Sequence, residues 1–231
     1  MTVIPAINET DFEEIKKKIK AAQDFGTNWV HLDVSDGKFT ENKLWNNPND
    51  LEVLRATAYD LRTNLEIHLM VQNPDEVFEG WINAGAKRII VHLESAKDLD
   101  SMKMKCAALG VELFVAVNPE TSVEKLFEYG KLVDGFLILA VTPGKAGQKF
   151  STGGAVPAGR QGSTEGGQEY QLKKIRTLRQ KLLNVKIEVD GGVNLENAAA
   201  IKKAGTDILV SASYIWNGGD PKEAYRKLCE L

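Results

Sequence analysis

KIEVDGGVNLENAAAIKKAGTDILVS, residues 186–211, reads as one complete strand–helix–strand unit. Lys186–Val189 is a short apolar-rich run closing on Asp190, and Asp207–Ser211 is a second one. Between them Asn194 stands as a cap before the 3.6-period stretch Leu195–Ala204, and Gly205 stops it. A helical crossover of this size is what joins two parallel strands.

Moving outward, the same switch recurs along the chain. Strands are expected at Val3–Asn8, Trp29–Ser35, Leu65–Val71, Arg88–Leu93, Glu112–Asn118 and Phe136–Val141. Helices are expected at Asp11–Asp24, Pro48–Leu61, Pro74–Ala84, Lys97–Leu109, Ser122–Lys131, Tyr170–Leu182 and Pro221–Cys229. Thr10, Asn73 and Asp220 offer caps, and Gly26, Gly85 and Gly110 offer stops. Eight strands alternating with eight helices in 231 residues predict an α/β fold, a single-domain (β/α)8 TIM barrel over 1–231. A doubly wound open sheet is the alternative, but it does not need eight evenly spaced units. Residues 151–169, rich in Gly and Ser and poor in large apolar groups, read as a flexible insertion after strand six, with a lid as the other reading.

The composition excludes several classes. Net charge is −3, and Lys and Arg mostly punctuate helical stretches such as Lys16-Lys17-Lys18. Nucleic acid, which rewards concentrated positive charge, is an unsuitable partner. No apolar run approaches the roughly 20 residues that span a bilayer, and the N-terminus lacks a secretory signal pattern. Cys106 and Cys229 have no metal-ligand spacing, so reduced thiols and a cytoplasmic location are expected.

In a barrel of this kind the active site lies at the C-terminal strand ends. His31 and Asp33 fall near the end of the second strand, His68 near the end of the third, and Asp190 closes the seventh. Residues two apart on a strand project to one side, so His31 and Asp33 face together. Two imidazoles and two carboxylates would supply four ligands for one divalent metal. Two carboxylates reaching one carbon from opposite sides would supply a base and an acid. The competing reading is a buried polar network. His92 reads as a hydrogen-bonded core histidine; Asp36 either shapes the Asp36-Gly37 turn or partners His31 or His68.

The segments His31–Phe39, His68–Val71, Val91–Glu94, Pro143–Phe150 and Ile187–Val193, in this order, resemble those of ribulose-phosphate 3-epimerases. The likeness runs from about Val3 to the C-terminus, interrupted by the Gly/Ser-rich stretch. It implies a (β/α)8 barrel, an isomerase of the pentose phosphate pathway, that interconverts D-ribulose 5-phosphate and D-xylulose 5-phosphate through an enediolate. It implies one divalent metal on His31, Asp33, His68 and Asp190, with Zn, Mn, Fe and Co all compatible with the ligand set, and Asp33 and Asp190 as the acid/base pair. It implies a homo-oligomer as well. Met70 matches a cavity-lining position of the family, with ordinary core packing as the alternative. Gly147 matches part of a closing lid, or is plain turn chemistry. A phosphate is expected at Gly191-Gly192 and Ala212-Ser213, after strands seven and eight.

The chain departs from the pattern at several points. Ala6 stands where a Ser is usual, Ser35 where a Met is usual, and Gly144-Lys145-Ala146-Gly147 replaces a Phe followed by two Gly. Lys145 either reaches the phosphate or is solvated. These positions leave open an epimerase for another ketose phosphate, such as D-allulose 6-phosphate. A non-catalytic sugar-phosphate-binding barrel is the reading from a different class. A decarboxylase or Schiff-base aldolase is disfavoured, because Val34-Ser35-Asp36 carries no Lys after Asp33 and no Lys interrupts Phe136–Val141.

Overall fold

A computed structural model describes residues 1–56, 61–144, 147–150 and 164–231, with the backbone alone at 164–166. The strands are β1 (Thr2–Ile7), β2 (Trp29–Ser35), β3 (Asn64–Met70), β4 (Arg88–His92), β5 (Glu112–Val117), β6 (Gly135–Leu139), β7 (Lys186–Asp190) and β8 (Ile208–Ser211). They pair in parallel in the order β1 to β8, and β1 closes on β8. The helices are α1 (Phe12–Asp24), α2 (Pro48–Ala56), α3 (Pro74–Asn83), α4 (Leu99–Ala108), α5 (Thr164–Lys181), α6 (Leu195–Ala204), α7 (Ser213–Trp216) and α8 (Pro221–Cys229). This is the expected single-domain (β/α)8 barrel. No described helix is long and apolar enough to cross a membrane, and Cys106 and Cys229 are free thiols.

Local chemistry explains most boundaries. Asn194 and Asn197 form a reciprocal cap at the start of α6, and Asp220 accepts the amides of Lys222 and Glu223 at the start of α8. Other boundaries differ from expectation. The cap of α1 is Asp11 and not Thr10, because the Asp11 carboxylate takes the Glu13 amide at 2.6 Å. Asn73 precedes α3 without a side-chain cap bond. The expected helix at Ser122–Lys131 is a 3-10 turn, Val123–Tyr129, since the Ser122 hydroxyl goes to the Glu124 carboxylate and caps no backbone amide. Helix α5 starts at Thr164 and not Tyr170, so 164–169 are no part of an irregular insertion; Gly167 is buried, and packing overrides its low helix propensity. The remainder of that stretch, 151–163, lies outside the described residues, as do Lys145 and Ala146.

Strand alternation sorts the core. One set of strand side chains packs outward against the helices; the other points into the barrel. Inside, Ile4, Ala6, Phe114, Ala116, Leu137, Leu139, Ile208 and Val210 form an apolar half from β1, β5, β6 and β8. Strands β2, β3, β4 and β7 carry buried polar groups at the same inward positions: His31 and Asp33, Glu66 and His68, Arg88 and His92, Glu188 and Asp190. One barrel interior is therefore half hydrocarbon and half charged.

Candidate active site

The parallel register sets Asp33 beside His68 and His31 beside Glu66. His31, Asp33, His68 and Asp190 come together: one donor atom from each lies within 4.8 Å of all the others. Asp33 is the hub. Its Oδ1 is 3.2 Å from His31 Nε2 and 3.0 Å from His68 Nδ1, and its Oδ2 accepts the Asn8 amide at 3.0 Å.

The two carboxylates sit in unlike fields. Burial alone would raise Asp33, but hydrogen bonds from His31 and His68 outweigh it and hold this carboxyl far below the ordinary range. Asp190 lacks that support. Burial and the neighbouring Asp33 charge push it up to about 7. Burial brings His68 down to about 4, against the pull of Asp33. Burial also opposes protonation of His31, yet the surrounding Asp33, Glu188 and Glu66 carboxylates keep its pKa well above the usual value.

Beneath this cluster lies a second one. Glu66 accepts from His31 Nδ1 at 2.8 Å and from the Arg88 guanidinium. Arg88 also reaches Glu188 at 3.4 Å and binds Glu112, with Trp29 and Phe114 rings 4.3 and 4.2 Å from its guanidinium carbon. Glu188 is driven up to about 8 by burial and by Glu66.

The donor chemistry of the upper cluster fits a divalent cation. Glu66 holds His31 Nδ1 and His92 holds His68 Nε2, at 2.8 and 2.9 Å, which leaves the other nitrogen of each ring turned to Asp33. Ligating histidines are oriented this way, by a partner on the second ring nitrogen. Two carboxylates face each other there, and no Lys or Arg side chain binds either of them among the described contacts.

Asp33 and Asp190 share a small recess, about 40 Å³, with Gly147, Gly191 and Gly192. Ala212, Ser213, Asn8, Gln148, Val141 and Val193 complete its wall. Gly191 and Gly192 have φ of +105° and +69°, and a Cβ at Gly192 would meet the Phe150 amide nitrogen at 2.1 Å. Only glycine lets the 149–150 backbone approach so closely. Met70 is buried at the end of β3, in register with Ser35, and is not among the residues that line the recess. A wider cleft of about 640 Å³ adjoins, sharing Asn8, Gly147 and Gln148 with the recess.

Other expectations resolve cleanly. Asp36 shapes the turn: it accepts the amides of Lys38, Phe39 and Gln72 and bonds neither histidine. Ser35 turns its hydroxyl to the Asn42 carbonyl and Thr40. Ala6 belongs to the apolar half of the barrel. His92 is the buried, hydrogen-bonded histidine expected of it, between His68 and Glu94. Sequence reasoning missed Glu66, Glu188, Arg88 and Asn8. Glu66-Ile-His68 and Glu188-Val-Asp190 repeat the two-residue spacing of His31-Leu-Asp33, so the strand period could have exposed both glutamates. Arg88 and Asn8 carry no comparable signal.

Comparison with known proteins agrees with this geometry. Residues 2–216 match the family model "Ribulose-phosphate 3 epimerase family". The ribulose-phosphate 3-epimerase of Chlamydia muridarum is 34% identical over 93% of this chain and 87% of its own. That of Bacillus subtilis is 31% identical over 98% and 97%. Among solved structures, 3-hexulose-6-phosphate synthase superposes with a TM-score of 0.67 at 18% identity, covering 99% of this chain and 98% of its own, which speaks to the fold alone. A match over nearly the whole length, at about a third identity, makes this chain a member of the ribulose-phosphate 3-epimerase family and an enzyme of the isomerase class.

Proposed function

We propose that this enzyme epimerises C3 of a ketose phosphate, D-ribulose 5-phosphate to D-xylulose 5-phosphate, by passing a proton between two carboxylates. The observation that carries the reading is the contrast between Asp33, held ionised, and Asp190, pushed up to about 7 in the same buried cluster. Pairs of titratable groups driven apart by their surroundings identify a base and an acid. Asp33 removes the proton from one face of C3. Asp190, protonated, returns one from the other face, and the roles exchange in the reverse direction. Asn8 keeps Asp33 oriented through its Oδ2.

His31 Nε2, Asp33, His68 Nδ1 and Asp190 are the residues that would hold the divalent metal used by this family. Bound there, the cation supplies positive charge for the oxygens of the enediolate. Zn, Mn, Fe and Co all suit two imidazoles and two carboxylates. The phosphate is assigned to the Gly191-Gly192 and Ala212-Ser213 backbone, with Gly147 beside it, since all five line the recess that Asp33 and Asp190 enter. We also assign the enzyme to a homo-oligomer, checked by native mass.

The adjoining cleft favours a second reading, in which a longer ketose phosphate such as D-allulose 6-phosphate is the substrate. A coupled assay on both sugars, with and without chelator, decides. Turnover of ribulose 5-phosphate that chelation abolishes and a divalent ion restores is the expected result. Failure on both sugars with metal present overturns the epimerase reading. Solvent-hydrogen exchange at C3 of ribulose 5-phosphate tests the two-base step: it should be lost in Asp33→Asn, whereas Asp190→Asn should exchange without forming xylulose 5-phosphate, and full exchange with turnover in both removes the assignment.

A further inference from the structure

His92 is one of only three histidines in the chain, fully buried, and the reaction above makes no use of it. Both its ring nitrogens are engaged. Nε2 lies 2.9 Å from His68 Nε2, and Nδ1 lies 3.3 Å from Glu94 Oε2. The two ring centroids lie 5.0 Å apart with only 17° between their planes, so the rings meet edge to edge, and Phe39 packs on His92 at 4.7 Å. Glu94 is itself anchored, its Oε1 accepting the Asn118 amide at 2.9 Å and the Thr121 hydroxyl. At the far end His68 Nδ1 meets Asp33 Oδ1 at 3.0 Å. Asp33, His68, His92 and Glu94 therefore form a line of two imidazoles between two carboxylates, with three gaps of hydrogen-bond length.

Counting donors, with a cation seated between His68 and Asp33, gives this line a direction. A neutral imidazole carries one N–H, and an ionised carboxylate only accepts. Two neutral rings fill two of the three gaps. With the His92 Nδ1–H given to Glu94, His92 Nε2 is bare and accepts from His68 Nε2–H. In the cation-loaded protein the Nδ1 lone pair of His68 then faces the Asp33 carboxylate across the cation, in place of the Nδ1–H bond to Asp33 open to the metal-free cluster.

The geometry points to Glu94 as a positioning residue for His68, acting through His92 to select the ring tautomer whose Nδ1 lone pair is aimed at the cation seat. His31 needs no such relay, because Glu66 meets its Nδ1 directly at 2.8 Å. The inference rests on the reading of the four-residue cluster as a cation site.

With three histidines, the full chain labelled with 15N-histidine and loaded with Zn(II) gives an assignable long-range 1H–15N spectrum. Protonated Nε2 on His68 and protonated Nδ1 on His92 are expected. Glu94→Gln, whose amide can also donate, should disturb both tautomers and weaken Zn(II) binding about 10- to 100-fold. Glu94→Asp should keep the tautomers, and Thr121→Val, which removes only an anchor, should leave tautomers and affinity unchanged. A His92 protonated at Nε2 in the loaded enzyme, or Glu94→Gln binding Zn(II) like the parent, overturns the inference. Should Glu94→Gln fail to fold, the parent spectrum alone decides. A parent that binds no Zn(II) overturns the cation-site reading and this inference with it, whereas a parent that binds while Glu94→Gln changes nothing defeats the relay alone.

Discussion

The barrel interior holds two charged clusters stacked one above the other, and they are compensated in opposite ways. The lower one surrounds its own cation: Arg88 binds Glu66, Glu188 and Glu112 and is flanked by Trp29 and Phe114. The upper one places Asp33 and Asp190 together with imidazoles and amides, and no Lys or Arg, for partners among the described contacts. Burying charge without a counter-ion is unfavourable; Arg88 meets that need below, whereas above only His31, shared with Glu66 and Glu188, meets it in part, which favours a bound cation there. His31 spans both, with Nδ1 on Glu66 and Nε2 on Asp33. The lower cluster thus serves the geometry of the upper one.

The contrast breaks most visibly at the carboxylates. Asp190→Asn should cut kcat by about 10³, within the usual range for losing a general acid or base, with thermal stability unimpaired; steady-state kinetics and a melting curve together check this. The lower cluster should respond the other way. Arg88→Met strands buried Glu66 and should cost about 3–5 kcal/mol of stability, read by urea unfolding. Adding Glu66→Gln should recover part of that loss, because the stranded carboxylate is its source.

A pH series on metal-free protein sharpens the comparison further. Asp190 has a folded pKa of about 7, raised from an ordinary 3.8 by burial and then by Asp33. The folded state therefore holds a proton that the unfolded chain has released. That stabilisation is complete below about pH 4 and is lost as pH rises through 7, at up to roughly 1.4 kcal/mol per unit. The parent's melting temperature should fall across this window relative to Asp190→Asn, and saturating divalent ion should flatten the slope. Equal slopes in the two proteins would remove the account of Asp190. The smallest effect belongs to Asn8→Ala, which deletes one bond to Asp33 Oδ2 and should lower kcat several-fold, about 1 kcal/mol, leaving KM nearly unchanged.

Much of this architecture is legible in the order of residues. Asn194 and Gly205 bracket α6, and β2 runs over the expected Trp29–Ser35. His31-Leu-Asp33 shares one face by strand period alone. The groups that sequence reasoning passed over lie in the same strands: Glu66 and Glu188 sit two residues before His68 and Asp190 and follow them inward. Arg88 reads as the polar start of a strand. Its role depends on Glu188, 100 residues away, and no local pattern reports that distance.

By itself, then, the chain determined the eight strand–helix units and which side chains face inward, because caps, stops and the two-residue strand period act over a few neighbours. Closure of the barrel decided which inward groups meet. Ring formation alone sets β7 across the interior from β2 and β4, joining Asp190 to Asp33 and Arg88 to Glu188. Burial in that enclosed space pushes both aspartates up, and the histidines that bond Asp33 alone bring it back down, so the two part in protonation.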